Sequence, residues 1–176
     1  MKLSDTKDIK ATPQVVWQAI LNPEVLKECM PGCESMTGSV AEGYEAVVKQ
    51  KVGPVSATFT GLVQLSDIVE GRSIRISGEG KGGVAGFAKG GANVTLEAVP
   101  EGTRLTYEVE ANVGGKIAQL GSRIIDSFAK KMADEFFARF QAAIEGPEEE
   151  LQAAEAGEGA AEGPAKKGWF KRLVGG

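Results

Sequence analysis

Histidine is absent from this 176-residue chain. That absence removes every catalytic scheme that needs imidazole, Ser-His-Asp and Cys-His arrangements among them. Cysteine is almost absent too, with Cys29 and Cys33 alone. Two thiolates without histidine cannot complete a four-ligand zinc site, which leaves only a site shared between chains. The plainer reading is two small, soft, partly buried residues flanking the tight loop Met30-Pro31-Gly32. No run approaches the ~18 apolar residues of a membrane span. The opening MKLSDTKDIK has no apolar stretch of the kind a secretory signal needs. Together these absences predict a chain that works in a reducing cytoplasm, where a disulfide is not expected.

Charge is present but unevenly placed. Residues 1–144 hold 16 bases and 17 acids; residues 145–165 hold seven Glu and no base; residues 166–176 hold four bases and no acid. Net charge is therefore read per segment. The first part predicts one domain, about 1–145, long enough to bury a core. The second, 146–165, is rich in Glu, Ala and Gly and predicts a flexible linker of the order of 25 Å r.m.s.. The third, 166–176, reads KKGWFKRLVGG and predicts a short functional tail.

The pattern of apolar residues sets the fold class. A short strand over about Lys2 to Lys10 comes first. Thr12 with Pro13, and Asn22 with Pro23, are caps for two short helices, and Pro31-Gly32 stops the second. From Glu34 to Val113 apolar residues recur with period two: Tyr44, Ala46, Val48 and Val52; Val55, Ala57, Phe59, Val63 and Leu65; Leu105, Tyr107, Val109 and Val113. Such alternation predicts antiparallel strands with one wet face. Glu42-Gly43, Gly53-Pro54, Glu70-Gly71 and Glu101-Gly102 mark the hairpins. The period then changes to three and four through Ile117, Leu120, Ile124, Phe128, Met132, Phe136 and Phe140, which predicts one long amphipathic helix beginning near Lys116. A sheet with one apolar face and one long helix needs the helix laid across that face. The expected class is α+β: a curved antiparallel sheet of about seven strands gripping a long C-terminal helix.

Two stretches, VVWQAILNPEVLKECMPGCESM and GEGKGGVAGFAKGGANVTL, resemble the CoxG family, the G subunits of carbon monoxide dehydrogenase. The element order resembles the START-like helix-grip superfamily. Asn22 stands where Asp is commoner in that family; both residues cap a helix. The resemblance spans about residues 1–145. It implies a non-enzymatic accessory protein associated with a CO dehydrogenase-type molybdenum hydroxylase, with its placement at the cytoplasmic membrane and with respiratory quinone. It also implies an apolar cavity between sheet and helix, holding a quinone or lipid and no covalent cofactor.

Inward positions Ala57, Gly61, Ala88 and Ala111 are small, and the aromatic supply is thin, which fits such a cavity. Candidate lining residues are Met30, Met36, Phe59, Phe87, Tyr107, Ile117, Leu120, Ile124, Phe128 and Met132. Tyr107 is the inward polar group expected to donate to a ligand carbonyl; the plainer reading is a tyrosine whose hydroxyl reaches a partner at the rim. Gly78, Gly80 and Gly83 form a G-x-G-x-x-G, but more strand follows where a dinucleotide site needs a helix to begin. Lys81 does not complete a phosphate loop, since Gly82 stands in place of Ser or Thr. Glu97, Glu108 and Glu110 fall opposite the apolar strand face, and Asp126, Asp134 and Glu135 on the polar side of the helix, so no inward carboxylate pair is expected.

In the tail, Trp169, Phe170, Leu173 and Val174 fall within an arc of about 140° on a helix. Lys171 and Arg172 fall outside it, and Lys166 and Lys167 precede it. Apolar residues on one side and bases on the other make an interfacial helix, one that would attach the protein reversibly to the inner face of an anionic membrane. The body is neutral to acidic, so no nucleic-acid footprint is present. A partner protein is the rival target for the tail. The rival functions are a helix-grip enzyme of the cyclase or hydrolase kind, and an adapter with a filled core.

Overall fold

The computed structural model describes residues 1–145. Strand β1 (Lys2–Ile9) leads into α1 (Pro13–Leu21) and α2 (Pro23–Cys29). Thr12 Oγ1 accepts from the Val15 N–H, and Asn22 Oδ1 from the Glu24 N–H at 2.9 Å; each cap is followed by proline at the first helical position. Six strands follow: β2 (Cys33–Ser39), β3 (Gly43–Val52), β4 (Val55–Val69), β5 (Ser73–Lys81), β6 (Phe87–Val99) and β7 (Gly102–Gly114). They form one antiparallel sheet in the order β1-β7-β6-β5-β4-β3-β2. The hairpin between β3 and β4 turns on Gly53, whose φ of 59° is the left-handed region that glycine enters without penalty.

Helix α3 (Ser122–Glu145) crosses the inner face, packing on α1, α2, β1 and β3. It starts later than the apolar period predicts. Lys116–Leu120 is a separate 3-10 turn, bounded by Gly115 at φ 81° and Gly121 at φ 96°. The two glycines break the helical path, so Ile117 and Leu120 do not share the helix of Phe128 and Met132. A second 3-10 turn, Gly83–Ala85, joins β5 to β6, so the G-x-G-x-x-G stretch opens no long helix.

Strand alternation sorts the inner face into two apolar clusters. The larger holds Ile9, Val16, Trp17, Val25, Leu96, Leu105 and Tyr107 with Phe140 and Ile144 of α3. The smaller lies at the other end of the sheet. There Val52, Ala85 and Ile117 are buried, with Val55, Ala57, Phe59, Val113, Leu120 and Phe128 packed around them.

Candidate functional site

Between the two clusters, register places small residues side by side on the inner face. One row runs Ala111, Gly90, Gly78, Val63, Tyr44 across β7 to β3; the next runs Val113, Ala88, Gly80, Gly61, Ala46 and reaches Met36 on β2. These rows belong to central strands, yet Gly61, Val63, Gly78, Gly80, Ala88 and Ala111 are only half-buried. The reason is visible at the glycines. A Cβ placed on Gly80 would meet no atom within 4 Å; one on Gly61 or Gly78 would meet only neighbouring strands. No atom of α3 lies within 4 Å of a Cβ at any of the three. The centre of the inner face thus leaves open, apolar room above these glycines, with the main core toward one end and the smaller cluster toward the other.

Of the ten candidate lining residues, Phe59, Ile117, Leu120 and Phe128 come together in the smaller cluster. Phe59 is held against the β5–β6 loop, its ring occupying the place a Gly82 side chain would take. Met36 lies on the inner face opposite Ala46, and Met30 caps the end of α2. Met132 is half-buried on α3, its Sδ 3.8 Å from Gln50 Nε2.

Three candidates sit elsewhere. Phe87 shares strand parity with Lys89 and Asn93, on the face away from α3; its ring lies over Gly114 and it is 47% exposed. Ile124 is 39% exposed in the first turn of α3, beside the Gly53 turn at the end of the sheet. Tyr107 points inward but into the main core, where its ring stacks on Phe137 with centroids 4.9 Å apart. Burial raises its phenol pKa, and the nearby carboxylates of Asp5 and Asp134 add to the rise.

Sequence reasoning passes over other inward polar groups. Gln50, between Val48 and Val52 in the same alternation, faces inward opposite Ala57 and donates from Nε2 to the Pro31 carbonyl at 2.5 Å. Its parity is the signal that could have found it. The Tyr44 hydroxyl donates to the Leu21 carbonyl at 2.7 Å, and Thr103 Oγ1 to the Ala11 carbonyl at 2.6 Å. On the edge strand β1, Lys7 pairs with Asp5 at 3.4 Å and with Asp134 of α3 at 3.7 Å, and Lys130 pairs with Asp134 at 3.0 Å. Asp134 is therefore not a plain solvated residue; it ties α3 to the sheet edge.

Cys29 is fully buried, which pushes its thiol up to about 12; Cys33 is half-buried, with its thiol raised by the same cause and its Sγ donating to the Ser35 carbonyl. Neither has the lowered pKa of a reactive cysteine. Two open clefts, about 640 and 530 Å³, lie along polar and charged residues such as Thr95, Arg104, Arg75 and Glu108. Two of their three arginines are already ion-paired, Arg104 with Asp8 and Arg75 with Glu110. The apolar space under α3 is the better candidate site on chemistry. No helix among the described residues is long and apolar enough to cross a membrane. Residues 146–165 and the tail positions Lys166, Lys167, Trp169, Phe170, Lys171, Arg172, Leu173 and Val174 lie outside the described residues.

The same architecture occurs in solved structures. A conserved protein from Geobacillus kaustophilus is 27% identical, with a TM-score of 0.74 over 80% of this chain and 93% of that one. Protein CV1439 from Chromobacterium violaceum (18% identity, TM-score 0.58, 80% and 95% covered) and Ms6760 from Mycobacterium smegmatis (16%, 0.58, 80% and 88%) share the fold. No curated protein matches. A profile of CoxG, the G subunit of carbon monoxide dehydrogenase, matches residues 6–145. With nearly the whole sheet and all of α3 inside that match, the chain belongs to the CoxG family.

Proposed function

We propose that this chain is a non-enzymatic accessory protein of a CO dehydrogenase-type molybdenum hydroxylase. It carries an apolar molecule of the quinone or lipid kind between its sheet and α3, on the cytoplasmic side of the membrane. The observation that carries this reading is the uncovered band at Gly61, Gly78 and Gly80, whose row continues through Ala46 to Met36, with the cluster of Phe59 and Phe128 toward one end. Apolar walls favour such a ligand by roughly 25 cal/mol for each Å² taken from water. Gln50 supplies a polar side chain beside Met132, and its Nε2 is already committed to Pro31. Its Oε1 is then an acceptor suited to a ligand hydroxyl.

The inward polar groups support a carrier over a cyclase or hydrolase. Tyr44 and Thr103 are committed to backbone carbonyls, and Asp5, Lys7 and Asp134 to one another. The family name supports the link to CO dehydrogenase. The composition of residues 166–176 supports attachment to an anionic membrane.

Mass spectrometry of small molecules extracted from purified full-length protein tests the carrier. A prenylated quinone or a lipid at near-stoichiometric yield is the expected result. Protein that holds nothing, and takes up no quinone offered to it, would instead be an adapter.

A further inference from the structure

The end of the domain beside the smaller cluster has a surface of its own. Three segments meet there: the β3–β4 turn at Gly53, the Gly83–Ala85 turn and the Lys116–Leu120 turn. Gly53 abuts Leu120 and Ile124, Gly115 abuts Gly86, and Ala85 and Ile117 share one cluster. Val84 projects from the middle turn with 90% of its surface exposed, and Ile124 is 39% exposed beside the first. Phe87 flanks them at 47%. Around them stand Lys51, Lys81, Lys116 and Arg123, all exposed, against the acids Glu79 and Asp126. Glu79 is paired with Lys81 at 3.5 Å. Apolar residues held out into water inside a basic ring need an occupant that is apolar within and anionic at its surface. A bilayer of acidic phospholipids has that build.

We infer that this end of the domain is a docking surface for an anionic lipid bilayer. Val84 and Ile124 enter the interface, and Lys51, Lys81, Lys116 and Arg123 meet the headgroups. Docked this way, the smaller cluster with Ala85, Ile117 and Leu120 lies next to the lipid. The ligand then passes between space and bilayer without crossing water. The role in ligand exchange rests on the functional reading above; the docking itself does not.

The geometry also separates this surface from the tail. Helix α3, 24 residues and so about 36 Å long, begins beside the docking end and finishes at Glu145. Glu145 accepts from the Lys10 N–H at the opposite end. Residues 146–165 can cover at most roughly 66–72 Å of extended chain, enough for residues 166–176 to reach the surface on which Val84 rests. Two linked contacts on one surface bind with avidity.

The test uses full-length protein and vesicles of equal parts phosphatidylcholine and phosphatidylglycerol, with affinity read by cosedimentation and tail insertion by Trp169 emission. Val84→Glu with Ile124→Glu should weaken binding by about tenfold or more, while Trp169 still shifts to the blue at high lipid. Both residues are exposed, so the fold should hold, and a matched melting curve checks it. Val84→Leu should bind as the wild type does. Val40→Glu with Ile68→Glu adds the same charge at exposed positions at the far end of the sheet and should leave affinity unchanged. Equal weakening by both pairs would reduce the effect to net charge and overturn the docking surface. Wild-type affinity in the Val84, Ile124 pair would also overturn it, leaving the tail and the carrier untouched. If the docked end also exchanges ligand, that pair should slow quinone transfer from vesicles while leaving uptake from detergent unchanged.

Discussion

Gln50 on β3 donates to the carbonyl of Pro31, in the loop between α2 and β2, across 2.5 Å. This bond fastens the loop that follows α2 to the inner edge of the apolar space, and the Gln50 amide also touches Met132 of α3. Gln50→Leu would leave a half-buried carbonyl without its donor. The expected loss is about 1–2 kcal/mol, the cost of an unmet polar group, read as a lower denaturant midpoint with unchanged slope. A midpoint equal to the wild type would mean that water replaces the amide at no cost.

Phe128 and Ile124 are four residues apart on one helix, yet they should respond differently to charge. Phe128 packs in the smaller cluster, whereas Ile124 is exposed. Phe128→Asp should abolish ligand uptake and cost less stability than the ~3–5 kcal/mol of a fully buried aromatic, since Phe128 is half-buried. Ile124→Asp should leave uptake from detergent intact. Equal loss of uptake in both variants would place the ligand along the outer edge of α3.

Tyr107→Phe keeps the ring that stacks on Phe137 and removes only the hydroxyl. Stability should change by less than about 1 kcal/mol, and ligand affinity should not change, because the ring lies in the main core. Tyr107→Ala, by contrast, should cost about 3–5 kcal/mol. A substrate whose conversion stopped in Tyr107→Phe would make the protein an enzyme.

These contrasts separate what a local pattern encodes from what it cannot. The strands are legible because alternation reports burial directly, and Thr12-Pro13 and Asn22-Pro23 carry their own capping chemistry. The inner positions Ala57, Gly61, Ala88 and Ala111 follow from the same alternation. The helix starts later than expected because Ile117 and Leu120 fit the helical period, and the left-handed Gly115 and Gly121 on either side of them outweigh it. Phe87 faces the other way because aromatic character says nothing of parity once a Gly-rich turn intervenes. Gln50 escapes notice because an inward polar residue breaks the pattern that locates its neighbours. The open space itself depends on how α3 sits on the sheet, which no local pattern encodes.

The buried thiol of Cys29 makes stability sensitive to alkali. Its pKa rises from 9.0 to about 12 through burial. The contribution of the neutral thiol is fully present below about pH 9 and is lost progressively as pH climbs toward 12, since the unfolded chain ionises first. Tyr44 and Tyr107, also raised by burial, act in the same direction above their ordinary value of 10. Stability measured by urea unfolding should therefore fall above pH 9, and less steeply in Cys29→Ala. At pH 8 a thiol reagent should modify Cys33 while Cys29 reacts on unfolding alone. Rapid modification of both in the folded protein would show that α2 opens readily.

The tail can be tested apart from everything the domain does. Four apolar side chains, Trp169, Phe170, Leu173 and Val174, would each gain roughly 1.5–3 kcal/mol on full burial. Each of Lys166, Lys167, Lys171 and Arg172 adds about 1 kcal/mol near an anionic leaflet. Ordering the segment, at about 1–2 kcal/mol per residue, offsets most of that sum, so attachment should be weak and reversible. Deleting 166–176 should leave melting and quinone uptake from detergent unchanged but weaken binding to anionic vesicles strongly. Trp169→Ala with Phe170→Ala should do nearly the same, because apolar insertion supplies most of the energy. Salt should weaken the wild-type protein by screening the four bases without releasing it. Trp169 emission should move to the blue with anionic vesicles. A shift that came with the partner hydroxylase and not with lipid would make residues 166–176 a protein-recognition segment.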